Sequence, residues 1–125
     1  MIKGVGIDLM NMDRIPREMS PDDAFIRKVF TKAERIELSA SSDQHEFICS
    51  RFSMKEAVFK SLGRDADDFS MTDIEILEDA IGRPTVSLLG KTAELAQVAG
   101  ISRVLVSISY DGNLVSSLAV ADGEI

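Results

Sequence analysis

A chain of 125 residues with 45% hydrophobic content is long enough for one domain with a modest core. Its net charge of −7 argues against general nucleic-acid binding, and no apolar run is long enough to cross a membrane. The lone Cys49 cannot form an internal disulfide, and with no secretory signal the expected compartment is the cytoplasm.

From the N-terminus, strand alternation puts Val5, Ile7 and Leu9 on one face and Gly4, Gly6 and Asp8 on the other. Two glycines on one face let another element approach the backbone closely, and Asp8 emerges from that crevice. A dinucleotide fingerprint is excluded, because the third glycine is absent and no helix signal follows at once. Pro16 and Ser20-Pro21-Asp22 break the next region into short pieces, with Ser20 predicted to cap a helix from Pro21. Arg14, Arg17, Arg27, Lys28, Lys32 and Arg35 concentrate here, but Asp13, Glu18, Asp22, Asp23, Glu34 and Glu37 are interspersed. Spacing alone leaves a basic patch and a mixed helical surface both open. Thr31 and Glu34 make a capping box for the following helix.

Ser41-Ser42-Asp43 starts a long helix that Gly63 stops. His45, just before it, is expected to be solvated, and Cys49 on it to be inert packing. Strands are expected at 73–77 and 85–89, joined through a turn at Gly82, then a helix at 91–99 ended by Gly100. Strands 103–110 and 114–121 form a hairpin around Asp111-Gly112. The pattern describes an α+β fold in a single domain, residues 1–125, with helices gathered in the first half and packed on a mostly antiparallel sheet.

The long helix carries the chemistry. At 100° per residue, Ile48, Phe52, Phe59 and Leu62 share one apolar stripe, with Lys55 in its middle and Glu56 and Lys60 on its rim. A lysine among core positions is costly unless its ammonium reaches water, a carboxylate or an anionic ligand. Glu56 and Lys60 also have the spacing of an ordinary surface ion pair, so this helix by itself leaves both readings open.

Gly6-Ile7-Asp8, followed by Phe52-x-x-Lys55-Glu56-Ala57-x-x-Lys60, resembles the holo-acyl-carrier-protein synthases, which are small 4'-phosphopantetheinyl transferases. The resemblance continues through Asp73-Ile74-Glu75-Ile76, Gly82-Arg83-Pro84 and Val106-Ser107-Ile108-Ser109, nearly the whole chain. It implies the 4'-phosphopantetheinyl transferase-like fold and transfer of the phosphopantetheine arm of coenzyme A to a serine of apo-acyl carrier protein. Adenosine 3',5'-bisphosphate would be released, in the service of fatty-acid synthesis. It further implies a homotrimer whose active site is shared between neighbours.

By the same resemblance, Asp8 and Glu56 are the Mg²⁺-binding carboxylates and Lys60 contacts the reacting phosphate. Arg51 and Lys55 contact the nucleotide's phosphates or order the site, and Gly63, Arg83, Pro84, Ser109 and Tyr110 complete the coenzyme A site. The general base is either Glu56 acting through a water or a carboxylate of the carrier. Arg14, Phe25, Lys28 and Phe52 match positions that dock an acidic helix of the carrier.

The chain departs from the family pattern in three places. Arg64-Asp65 follow Gly63 where Thr-Gly is usual, Arg83 replaces a lysine, and Tyr110 replaces a histidine. Tyrosine still donates a hydrogen bond but carries no positive charge near neutral pH. These changes bear on coenzyme A affinity and leave one alternative, a non-catalytic relative that binds coenzyme A or a carrier protein. Intact Asp8, Glu56 and Lys60 favour the enzyme.

Overall fold

The computed structural model describes residues 1–63 and 69–124, so the altered Arg64-Asp65 pair lies outside the described residues. Strand β1 (Ile2–Asn11) runs into a 3₁₀ turn at Met12–Arg14. Helices α1 (Ala24–Val29), α2 (Lys32–Ala40) and α3 (Gln44–Ser61) follow. After them come the hairpin β2 (Ile74–Glu78) and β3 (Pro84–Leu88), helix α4 (Gly90–Val98), and the hairpin β4 (Ile101–Asp111) and β5 (Leu114–Gly123). Every pairing is antiparallel, as expected, but the strands divide into two sheets. One has the order β1-β5-β4 and the other is β2-β3.

Helix α3 lies over β1 and β5, and glycine makes that possible. A Cβ added at Gly6 would sit 1.9 Å from the Ala57 carbonyl oxygen, and one at Gly4 would sit 2.0 Å from that of Ser61. The strand and the helix backbone are therefore in contact, and any side chain at either position would force them apart. Around this contact Met54, Ala57, Val58 and Leu62 of α3 pack with Ile74, Ile76, Val104, Ala119 and Ala121. Ile48, on the first half of α3, closes a second cluster with Ile26, Val29, Phe30 and Leu38.

Local chemistry explains the helix starts. Thr31 and Glu34 form the expected reciprocal capping box, and Asp43 caps α3 through the Glu46 amide. The helix expected from Pro21 begins later. Ser20-Pro21-Asp22 form a turn in which Ser20 accepts from the Asp22 amide, and Asp23 rather than Ser20 caps α1. His45 is half-buried rather than fully solvated and stands in the first turn of α3, with Nε2 2.8 Å from the Ile15 carbonyl oxygen.

The outer face of the larger sheet is apolar and open. Val5, Ile7 and Leu9 are about two-thirds exposed, at 59%, 63% and 67%. In register with them lie Val120 and Leu118 of β5 and Leu105 of β4. Alternation requires that Gly6, Asp8 and Met10 then face α3.

Candidate active site

Asp8 leaves β1 beside α3, where Glu56 and Lys60 stand one helical turn apart. Lys60 Nζ lies 3.5 Å from Asp8 Oδ1 and donates to the Ile7 carbonyl oxygen at 3.0 Å. Burial pushes the Glu56 carboxyl up from its usual range, and the charge of Asp8 pushes it further, with Lys60 pulling the other way. Two carboxylates are thus held together with one ammonium to offset them. They fit a hard divalent cation of the Mg²⁺ type, which uses one or two carboxylates and takes its other oxygens from water and substrate phosphates. Among the described residues no cluster of three or more acidic, histidine or cysteine side chains competes for that role.

The oxygen of Asp8 that faces away from Lys60 is also engaged. Ser53 Oγ donates to Asp8 Oδ2 at 2.9 Å, and Ser117 Oγ lies 2.8 Å from Ser53 Oγ. Both serines are buried, and neither was singled out from the sequence.

A second set of expected residues gathers in a cleft of about 300 Å³ on the other flank of α3. Arg51 and Met54 of α3 line it with Gly82, Pro84, Ile108 and Tyr110, and Asp43, Glu46 and Glu78 stand at its edges. Burial pushes the Tyr110 phenol up, against the opposing pull of the Ser50 hydroxyl, so it is a neutral donor near neutral pH. Arg51 borders the cleft, but its guanidinium donates to the Ile76 carbonyl and pairs with Glu37 at 3.1 Å. Only its Nε has no partner.

Asp8, Ser117 and Ile108 form one row across β1, β5 and β4. Adjacent strands are about 4.8 Å apart, which puts Asp8 and Ile108 about 10 Å apart with α3 above the strand between them. In one chain the carboxylates and the cleft therefore flank the helix rather than meet.

Several expected residues stand elsewhere. Lys55 is fully buried and contacts no ligand surface: Nζ pairs with Glu34 at 2.5 Å and donates to the Val29 carbonyl. Its place among core positions is answered by a buried carboxylate, which corrects the first of its two expected roles, contact with nucleotide phosphates, and leaves the second, ordering the site, open. Burial pulls its ammonium below the usual lysine range, with Glu34 pulling back. Ser109 points to the outer, apolar face of the sheet, opposite Tyr110. Arg83 pairs with Asp79 at 3.3 Å at the mouth of the turn, and Gly63 ends α3 with φ +67°.

Phe25 and Phe52 stack edge to face with centroids 5.3 Å apart. Lys28 lies one turn from Phe25 on α1, and Arg14 ends the turn leading from β1. Arg17 and Arg27 are tied to Asp13 and Asp22, whereas among the described residues Arg14 and Lys28 make no ion pair. Cys49 does have a base nearby, His45 Nε2 at 3.6 Å. That nitrogen also faces the Ile15 carbonyl, the thiol is inaccessible, and burial pushes it up to about 11, so it stays protonated.

The model for the 4'-phosphopantetheinyl transferase superfamily matches residues 4–115. The chain belongs to that family. Over 122 residues it is 37% identical to a holo-[acyl-carrier-protein] synthase of Clostridium acetobutylicum, covering 98% of both chains. The acyl carrier protein synthase of Plasmodium yoelii, solved with ADP bound, superposes with a TM-score of 0.88 at 31% identity, covering 100% of this chain and 98% of that one. A coenzyme A complex of the Chronobacterium ammoniagenes family member gives a TM-score of 0.80 at 26% identity, with 98% of each chain covered. The α+β fold is therefore the family fold, and the chain is an enzyme, a phosphopantetheinyl transferase of the holo-[acyl-carrier-protein] synthase type.

Proposed function

We propose that this chain moves the 4'-phosphopantetheine arm of coenzyme A onto a serine hydroxyl of an apo-acyl carrier protein, with Mg²⁺ as cofactor. The observation that carries the reading is the convergence of Asp8, Glu56 and Lys60 from β1 and α3 in a chain of this family. The serine oxygen bonds to the phosphorus that bears the pantetheine arm. The bond from that phosphorus to the bridging oxygen breaks, and adenosine 3',5'-bisphosphate leaves with the electron pair. When bound, Mg²⁺ supplies charge neutralisation to the diphosphate.

The protein's own groups do the rest. Asp8 and Glu56 hold the cation, and Lys60 Nζ stabilises charge developing on the leaving diphosphate. Glu56 receives the serine proton through a water. The cleft lined by Arg51, Met54, Gly82, Pro84 and Tyr110 offers a neutral phenol and a few apolar side chains among polar groups. The carboxylates of Asp43, Glu46 and Glu78 at its edges repel a bare phosphate, so it suits the nucleoside part of the ligand better. Arg14 and Lys28, together with the Phe25–Phe52 pair, form the docking surface for an acidic helix of the carrier.

The working unit is a homotrimer. Its support is the open apolar face of Val5, Ile7, Leu9 and Leu118, together with the separation of carboxylates and cleft by α3. A neighbour packed on that face would bring its own cleft or carboxylates to complete the site, and would meet Ser109.

The test is direct. The protein is mixed with an apo-carrier protein and coenzyme A, in Mg²⁺ or in EDTA, and the carrier is weighed by mass spectrometry. Gain of the phosphopantetheine arm in Mg²⁺ alone is the expected result. An unchanged carrier mass in Mg²⁺, with carriers from several sources, would sink the proposal.

A further inference from the structure

The Asp8 carboxylate is tied to a chain of hydroxyls that reaches across the sheet. Ser53, in the middle of α3, is fully buried, and Ser117, opposite Asp8 on β5, is 1% exposed. Ser53 Oγ is 2.9 Å from Asp8 Oδ2 and 2.8 Å from Ser117 Oγ. An ionised carboxylate only accepts, and each hydroxyl has one proton to give. Ser53 must therefore donate to Asp8, and Ser117 must donate to Ser53. The direction of the chain is fixed: Ser117 to Ser53 to Asp8 Oδ2.

Packing alone does not call for these hydroxyls. The other inward positions of β5 are Val115, Ala119 and Ala121, and the next inward residue of α3 is Ala57, all fully buried. Alanine at 53 and 117 would continue those rows. A serine inside a helix usually turns its hydroxyl back to the carbonyl four residues earlier. Ser61 keeps to its own helix in a similar way, donating to the Val58 carbonyl, whereas Ser53 reaches out to Asp8. The consequence for Asp8 is that its two oxygens are unequal. Oδ2 is held by the buried hydroxyl, and Oδ1 is turned toward Lys60.

We infer that Ser53 and Ser117 are positioning residues that lock the Asp8 carboxylate so that Oδ1, the oxygen not held by Ser53, is the one offered to the divalent cation. Ser53 acts on Asp8 directly and Ser117 only through Ser53. This inference rests on Asp8 and Glu56 being the cation ligands. Hydrogen bonds to a ligating group from outside the ligand set commonly govern metal affinity by 10- to 100-fold.

Mn²⁺ serves as the probe, titrated into the intact protein with saturating coenzyme A, with free Mn²⁺ read by electron paramagnetic resonance. Ser53→Ala should raise the Mn²⁺ dissociation constant about 10-fold or more. Ser117→Ala should raise it less, and the double variant should be no worse than Ser53→Ala alone. Melting temperature and coenzyme A affinity without divalent ions should stay close to wild type, a separation that a merely structural role would not produce. Asp8→Ala is run beside them. If Asp8→Ala loses Mn²⁺ while Ser53→Ala binds it as wild type does, the positioning role is wrong and the cation assignment stands. Additive losses in the double variant would overturn the directional chain. If Asp8→Ala itself binds Mn²⁺ normally, the cation assignment fails and takes this inference with it.

Discussion

Glu56 is held where its charge is uncomfortable. Its carboxyl is pushed up first by burial and then by Asp8, and only Lys60 opposes this. A carboxyl whose pKa is raised on folding stabilises the fold below its unfolded value near 4.3 and loses that contribution as pH rises through the folded value. At neutral pH, without a divalent ion, Glu56 therefore costs stability. Glu56→Gln in EDTA should melt at a higher temperature than wild type at pH 7, and the difference should vanish below about pH 4. Transfer should fall by on the order of 10²-fold or more, because a group that acts on the reacting charges is gone. A variant that melts lower at pH 7 would mean that Glu56 is paired rather than strained. At this scale Asp8, Glu56 and Lys60 were legible as candidates only through the family resemblance, because the spacing of Glu56 and Lys60 alone also fits an ordinary surface ion pair. Ser53 and Ser117 were not, since a hydroxyl becomes a partner of Asp8 only when α3 and β5 are brought together. Their one local signal was a serine in an inward row of valine and alanine.

Helix α3 is held on its sheet by backbone contact at Gly4 and Gly6 and fixed to α2 by the fully buried Lys55–Glu34 pair and the half-buried Arg51–Glu37 pair. Glu34 accepts from the Thr31 amide, the Ile76 amide and Lys55, so a single carboxylate joins the start of α2, strand β2 and the middle of α3. Removing one partner leaves the other charged and buried, which costs about 3–5 kcal/mol. Lys55→Ala should therefore unfold at markedly lower urea, and Lys55→Met combined with Glu34→Gln should recover part of the loss. Equal stability of Lys55→Ala and wild type in equilibrium unfolding would refute the structural role assigned here. Most helices and strands could be read from caps, glycines and alternation, as the capping box and the Gly82 and Gly112 turns illustrate. The start of α1 could not, because Ser20 and Asp23 are both competent caps and Pro21-Asp22 first close a turn. Lys55 was correctly seen as a lysine at a core position. Its partner, 21 residues earlier on another helix, was beyond any local pattern.

For the whole molecule, the main physical problem that the proposed function raises is meeting an acidic carrier with a net charge of −7. Long-range attraction is unavailable, so capture depends on local cations. Arg14 and Lys28 are exposed and make no ion pair among the described residues, unlike Arg17 and Arg27. Reversing Arg14 or Lys28 to Glu should raise the carrier KM at least 10-fold with coenzyme A affinity unchanged, the scale of about 1.4 kcal/mol for a lost and inverted contact. Salt should weaken the wild type in the same selective way, since exposed charges are screened beyond roughly 10 Å at 0.1 M. An unchanged KM in both reversals would place the docking surface elsewhere.

The apolar face and the divided site make one further demand on the assembly. Val5, Ile7, Leu9 and Leu118 form a patch that a lone chain would expose to water, while α3 keeps Asp8 and Glu56 apart from the cleft of Tyr110. If neighbours cover the patch and complete each other's site, Ile7→Glu should yield folded monomers in ultracentrifugation with transfer lost. Glu56→Gln spoils the carboxylate half of a chain, and Tyr110→Asp spoils the cleft half by placing an anion in the cleft proposed for the nucleotide. Each variant alone should be nearly inactive. In randomly mixed oligomers one site in four joins an intact carboxylate half to an intact cleft, so reassembled mixtures should recover about a quarter of wild-type activity. No recovery, with mixed assembly confirmed by mass, would show that each chain completes its site alone and that α3 must move to let its two flanks meet.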